Sequence, residues 1–161
     1  MKSIIDQGVG RVLRFNKYVR GILVLCLLMP VVVLHAREMV SVAKPQINIR
    51  AGAGLQHDRL WVILQDYPLQ VTAHRGKWLK VRDFENDGGW VYAPLVGKKP
   101  HVIVKASVAN VRSTASTRGR ILGKAEYGDV LRTLEHRNGW VKVRRDSGLT
   151  GWIARRLLWG W

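Results

Sequence analysis

The sequence predicts an all-β architecture: two tandem small barrels behind an N-terminal leader. Three observations predict it. A segment of about 60 residues occurs twice, Asn48-Ile-Arg-Ala51 returning 62 positions later as Asn110-Val-Arg-Ser113. Beyond residue 36 no stretch carries a long helical period. Short runs alternate apolar and polar residues and stop at Gly, Asn or Asp, which is the pattern of strands joined by turns.

The first 36 residues read as a signal peptide. Lys2, Arg11, Arg14, Lys17 and Arg20 are basic, with only Asp6 against them, and Gly21 to Leu34 is an uncharged run of 14 residues broken by Pro30. A membrane-spanning helix needs about 20 apolar residues, so the run is short for a stable anchor. Ala36 offers a cleavage position before Arg37, and an uncleaved N-terminal anchor is the alternative. Cys26, the single cysteine, lies in this run behind Leu25, where a lipoprotein signal needs a small residue. Cleavage leaves a chain without thiols, disulfides or cysteine metal sites. The expected location is periplasmic or otherwise exported.

The repeat runs on without a gap. His74-Arg75 matches His136-Arg137, Trp78-Leu-Lys-Val-Arg82 matches Trp140-Val-Lys-Val-Arg144, and Gly89-Trp90-Val91 matches Gly151-Trp152-Ile153. Repeats fix architecture before anything else does. The units are assigned to residues 37–96 and 102–161, with a Gly- and Pro-containing linker at 97–101. Within each, Val40–Val42 and Val102–Val104 open the unit, Leu69–Val71 and Val130–Leu134 are β-rich, and Leu79–Val81 and Val141–Val143 are half-buried strands. Glu85–Gly89 and Asp146–Gly148 are hairpin turns. Closure into a barrel suits so small a unit because it removes strand edges.

The second copy reads Asn110-Val-Arg-Ser, Gly128-Asp-Val130, Asn138-Gly-Trp140-Val-Lys-Val143 and Gly148 followed by Gly151-Trp152-Ile153. This order resembles the bacterial SH3 (SH3b) module, and the duplication resembles its two-copy form in exported proteins. The resemblance covers nearly all of residues 40–160. It implies two SH3-like barrels and a binding role, often at the cell wall. The first copy departs at Gly76-Lys77, where the pattern has Gly beside the tryptophan. The second has Gly123 in place of Trp61, so a site using Trp61 is not duplicated.

Catalytic signatures are missing from the sequence: there is no GxSxG, HExxH or cysteine–histidine arrangement. No cofactor or metal is expected. Asp83-x-Glu85-x-Asp87 has the opening of a calcium loop, but Pro94 stands where the closing Glu belongs, so a hairpin tip is the better reading. Recurrence of His74 and His136 argues for a local structural role. Strand alternation puts Leu79 and Val81 on one face and Trp78, Lys80 and Arg82 on the other, with Trp140, Lys142 and Arg144 following suit. In peptide-binding SH3 domains a tryptophan at this strand start lines the ligand groove. Trp78, Trp140, Lys80, Arg82, Lys142, Arg144 and Trp61 are therefore the candidate ligand-binding residues, Trp78 and Trp140 being alternatively plugs of their own barrels. Trp90 and Trp152 read as packing residues.

The whole chain carries +16, and residues after 36 hold 22 basic against 10 acidic side chains. Such an excess points to an anionic partner. Peptidoglycan or another anionic envelope polymer is the leading partner, its stem carboxylates matching the cations. A periplasmic protein partner is the second reading. Nucleic acid is the third, and export counts against it.

Overall fold

The computed structural model describes residues 37–161, so the leader expected over 1–36 lies outside the described residues. Fourteen strands form two seven-stranded antiparallel sheets. The first contains β1 (Met39–Val42), β2 (Gln46–Arg50), β3 (Arg59–Leu64), β4 (Pro68–Arg75), β5 (Trp78–Arg82), β6 (Gly88–Tyr92) and β7 (Val96–Gly97). The second contains β8 (His101–Val104), β9 (Val108–Arg112), β10 (Ile121–Glu126), β11 (Val130–Arg137), β12 (Trp140–Arg144), β13 (Thr150–Ala154) and β14 (Leu158–Gly160). The first six strands of each sheet begin and end 62 residues apart. A 3-10 turn, Ala93–Leu95 or Arg155–Leu157, precedes the last strand of each sheet. Neither turn has a signal in the residue pattern read above.

Each sheet curls over its own core, with β3 and β7 or β10 and β14 at the ends of its strand order. The strand order is β3-β2-β6-β5-β4-β1-β7, and β10-β9-β13-β12-β11-β8-β14 repeats it. Laid flat at about 4.8 Å per strand, β3 and β1 would stand roughly 24 Å apart. Yet Ile63 of β3 and Val40 and Val42 of β1 belong to one buried cluster with Ile49, Leu69, Val81 and Val91. The sheet must curl to bring them together, giving the two SH3-like barrels that the sequence implied. Val102, Val111, Leu131, Val143 and Ile153 form the corresponding second core. Alternation is clear in β5 and β12, where the second and fourth residues are buried.

The departure at Gly76-Lys77 leaves the register intact. Arg75 pairs with Trp78 and Arg137 with Trp140, so both hairpins have two-residue loops. Asn138 and Gly139 both have positive φ, the type I′ pattern; Gly76 alone does so in the first copy, the type II′ pattern. Either turn suits the strand twist, so both copies present their tryptophan at the same place.

The barrels belong to one compact unit. The Trp161 indole Nε1 donates to Ser41 Oγ at 3.2 Å, and the Tyr127 hydroxyl donates to Glu85. The rings of Phe84 and Tyr127 lie 5.4 Å apart between centroids. His101 and Ile103 are buried on the face of β8 opposite its core residues Val102 and Val104. The stretch between the two sheets is Lys98, Lys99 and Pro100.

Candidate functional site

The hairpins just described bring Trp78 and Trp140 to the starts of β5 and β12, and both are half-buried. An open groove runs beside each. The first, about 610 Å³, is lined by Trp78, Tyr92, Leu95, Asn48 and Arg50, with Gly54, Leu55 and Gln56 of the loop that joins β2 to β3. The second, about 470 Å³, is lined by Trp140, Ala154, Leu157, Asn110, Arg112, Arg155 and Arg156, with Thr117 of the matching loop. The long first loop flanks the tryptophan in both.

One motif residue shapes both grooves. Arg50 Nη1 donates to the carbonyls of Leu55 at 3.2 Å and His57 at 2.8 Å. Arg112 Nη1 donates to the carbonyl of Gly119, the counterpart of His57, at 2.8 Å. The arginine of each Asn-x-Arg repeat thus clasps the loop that forms the groove wall. Sequence reasoning recorded the repeat without giving this arginine a role, although its recurrence was the available signal.

The other candidate cations stand elsewhere. Lys80, Arg82, Lys142 and Arg144 share the tryptophan's face but line neither groove. Successive outward residues are about 7 Å apart along a strand, which carries them away from the groove at the strand start. Arg82 lies against Gln70 Oε1, with Nε at 3.1 Å and Nη2 at 3.0 Å. Lys80 is exposed and pairs across the sheet with Trp90. Lys142 Nζ stands 6.0 Å from the Trp152 ring centroid, and the Arg137 guanidinium 5.1 Å from it. Arg144 borders a separate cleft between the barrels. Trp61 packs on the first core and lines yet another groove with Tyr67, Asp83 and Glu85. Of the four tryptophan-strand cations, none serves the grooves; Arg50, Arg112, Arg155 and Arg156 do.

The grooves differ in chemistry. Tyr92 lies across from Trp78 with ring centroids 5.5 Å apart, forming an aromatic corner. Its counterpart is Ala154, and the neighbours that correspond to Ala93 and Pro94 are Arg155 and Arg156. The first groove therefore offers aromatic surface, the second one indole beside cations.

Other titratable groups are engaged in local structure. Carboxylate oxygens of Asp83, Glu85 and Asp87 lie within 4.8 Å of one another. Asp83 Oδ1 accepts the backbone N–H groups of Glu85 and Asp87, each at 2.9 Å, as a turn-forming aspartate does. Burial raises the Asp83 carboxyl above its usual range against the opposing pull of those bonds. His74 Nε2 meets Glu38 at 2.8 Å, whereas Glu38 corresponds to Pro100 in the second copy, so the two equivalent histidines do not share this contact. Lys98 and then His74 hold the Glu38 carboxyl below its ordinary value.

Bacterial SH3 domain families match residues 43–98 and 107–158. A Bacillus subtilis protein named as an N-acetylmuramoyl-L-alanine amidase is 25% identical over 139 residues, 75% of this chain and 26% of its own length. The chain thus spans about a quarter of that relative. Among solved structures, an NlpC/P60 family protein from Bacillus cereus shows 12% identity and a TM-score of 0.37, over 77% of this chain and 56% of that one. A structure named Endolysin LysPBC5 CBD shows 17% identity and a TM-score of 0.29, over 78% of this chain and 94% of that one.

Proposed function

Because this chain belongs to the bacterial SH3 domain family, with one such domain in each half, we propose that it is an exported, non-catalytic binding protein that recognises peptidoglycan or its peptides. The observation that carries this reading is the repeated groove: a half-buried tryptophan beside a loop clasped by an arginine, at equivalent places in both copies. A flat indole can hold a sugar face or a peptide side chain, and groove arginines can pair stem carboxylates. The amidase name of the similar protein supports a wall ligand, although this chain spans only a quarter of that protein. Non-catalytic action is supported by the way His101 and Asp83 are tied into local structure. His101 Nδ1 meets the Lys99 carbonyl at 3.2 Å, and its Nε2 meets Asp66 at 3.4 Å.

Sedimentation with purified sacculi tests this. Trp78→Ala and Trp140→Ala should each weaken binding at least about tenfold while keeping a cooperative melt. Removing a core aromatic instead costs about 3–5 kcal/mol, so a collapse of both melts with retained wall binding overturns the groove assignment. Binding should also weaken as salt rises, since exposed charges are screened beyond about 8 Å at physiological ionic strength.

A protein partner is favoured by one observation. Leu60, Val62 and Leu64 are 46%, 53% and 65% exposed on β3, which ends the strand order of its sheet. An apolar strand at a sheet end can accept another strand. Retained capture of a wall enzyme after both tryptophans are removed would favour this reading.

A further inference from the structure

A second site lies away from both grooves, in a cleft of about 320 Å³ between the barrels. It is bordered by Asp66 of the first barrel, Lys99 of the connection and His101, Arg132 and Arg144 of the second barrel. Arg132 and Arg144 are direct partners across β11 and β12. Like charges placed opposite one another in a sheet are destabilising. Among the described residues, neither arginine has a carboxylate within ion-pair distance.

The first barrel shows how this position pair is satisfied within the protein. There the partners are Gln70 and Arg82, and the amide oxygen accepts two bonds from the guanidinium. In the second barrel Arg132 stands in place of Gln70, which removes the acceptor and adds a charge. Nearby acids do not compensate. Asp66 lies against Lys99 at 3.5 Å and His101 at 3.4 Å. Arg145 is bonded to Asp129, and Asp146 on the cleft border makes no ion pair among the described residues. Asp66 holds its place at a φ of 68°, where the second barrel has Gly128, so a side chain is kept there despite the backbone cost.

We propose that Arg132 and Arg144 form a binding site for a phosphate group, set in the cleft between the barrels. Inorganic phosphate or a phosphate monoester carries nearly two negative charges and three terminal acceptor oxygens, enough for two guanidinium forks, whereas one carboxylate has two oxygens. Two sources present this chemistry to an exported protein, a polymer bearing monoester phosphates and a lipid headgroup that ends in a monoester phosphate.

The test uses the chain from residue 37 onward, titrated with inorganic phosphate at constant ionic strength and followed by amide chemical shifts and by melting. Arg132→Gln restores the pair that folds in the first barrel, so it keeps the protein intact. It should weaken phosphate binding at least about tenfold and melt higher than the parent in low-salt buffer without phosphate. Added phosphate should close that gap. Arg118→Gln, in the exposed loop of the second barrel, should bind phosphate as the parent does, and so should Trp78→Ala, which separates this site from the groove proposal. Phosphatidic acid vesicles that compete with inorganic phosphate would identify the headgroup as the source; binding of glycerol phosphate without vesicle binding would identify the polymer. Equal phosphate affinity in the parent and Arg132→Gln overturns the proposal, as does equal affinity for acetate and phosphate.

Discussion

In the first barrel, positions 67 and 83 are Tyr and Asp; in the second, the same positions are Asp129 and Arg145. The second pair is joined by an ion pair, whereas in the first Tyr67 and Asp83 border one groove, and burial, with the Asp83 carboxylate second, raises the pKa of the Tyr67 hydroxyl. The two positions stay neighbours while their chemistry is exchanged. Inside the barrels these exchanges stay apolar: Ile49 becomes Val111, Leu79 becomes Val141 and Val91 becomes Ile153, while Ile47 and Ile63 shrink to Ala109 and Ala125. Outside they accumulate charge. Residues 37–99 hold 10 basic and 6 acidic side chains, residues 100–161 hold 12 and 4. Burial keeps most inward positions apolar even where their volume changes, whereas an outward position answers only to its immediate partner. The second barrel therefore carries the larger basic excess, and Arg132, Arg144, Arg155 and Arg156 are among its cations.

The strongest way to break the equivalence is at Gly89 and Gly151. A Cβ on Gly89 would run into Ile49 Cγ2 and stand 2.8 Å from the Arg50 carbonyl oxygen. On Gly151 it would meet Val111 at 2.6 Å and the Arg112 carbonyl at 2.8 Å. Both lie where the sixth strand of the barrel passes β2 or β9. Gly89→Ala and Gly151→Ala should each cost about 2–3 kcal/mol through overpacking, read from urea unfolding. Tolerance in one copy alone would show that the close approach is needed in only one barrel.

The hairpin tips should respond less, and unequally. Asp83→Ala removes the acceptor of two backbone N–H bonds and should cost about 1–2 kcal/mol. Arg145→Ala removes an ion pair whose side chains are 35% and 36% exposed, for which under about 1 kcal/mol is expected. Equal losses would mean that the two tips are held by the same kind of contact after all.

The backbone was largely legible in the sequence because a gapless repeat reports register directly: every inserted residue would have broken it. Leu79, Val81, Val141 and Val143 reached the core as alternation required. The tryptophans' place beside the first loops was legible through the resemblance. The cations were not. Period-two alternation states which side of a strand a residue occupies and is silent about what lies opposite it, so Arg82 on Gln70 and Lys142 near Trp152 were invisible. The cations that do reach the grooves come from β2, β9 and the last 3-10 turn, which are distant in sequence from the tryptophans. The Arg132–Arg144 pairing likewise depends on the bulge that shifts register between Thr133 and Glu135.

A smaller effect, of opposite sign, is expected at Thr133. Its hydroxyl is buried without a hydrogen-bond partner among the described residues, and the first barrel has Val71 at this position. An unsatisfied buried hydroxyl costs about 1–3 kcal/mol. Thr133→Val, nearly the same shape, should stabilise by about 1 kcal/mol in thermal or urea melts. The reciprocal Val71→Thr should destabilise by a similar amount. A destabilised Thr133→Val would mean that the hydroxyl has a partner in solution, and the two cores would then differ in more than volume.

The smallest expected difference is a pH slope from His101, whose counterpart in the first barrel is Met39. Burial pushes the His101 imidazolium below its ordinary range, and Lys99 and Arg132 push the same way; Asp66 and the Lys99 carbonyl oppose them. Burial being the larger effect, the folded protein holds this imidazole neutral where the unfolded chain, near pH 6.5, already takes up a proton. The unfolded state then binds more protons, so the stability from this group is present above about pH 6.5 and is lost as pH falls through the folded value. Melting temperature should decline between pH 7 and pH 5.5, and His101→Met, the residue of the other barrel, should flatten that decline. A melting temperature that rises on acidification in the parent but not in His101→Met would show that the Asp66 carboxylate outweighs burial, and would place a pH-strengthened contact between the barrels instead.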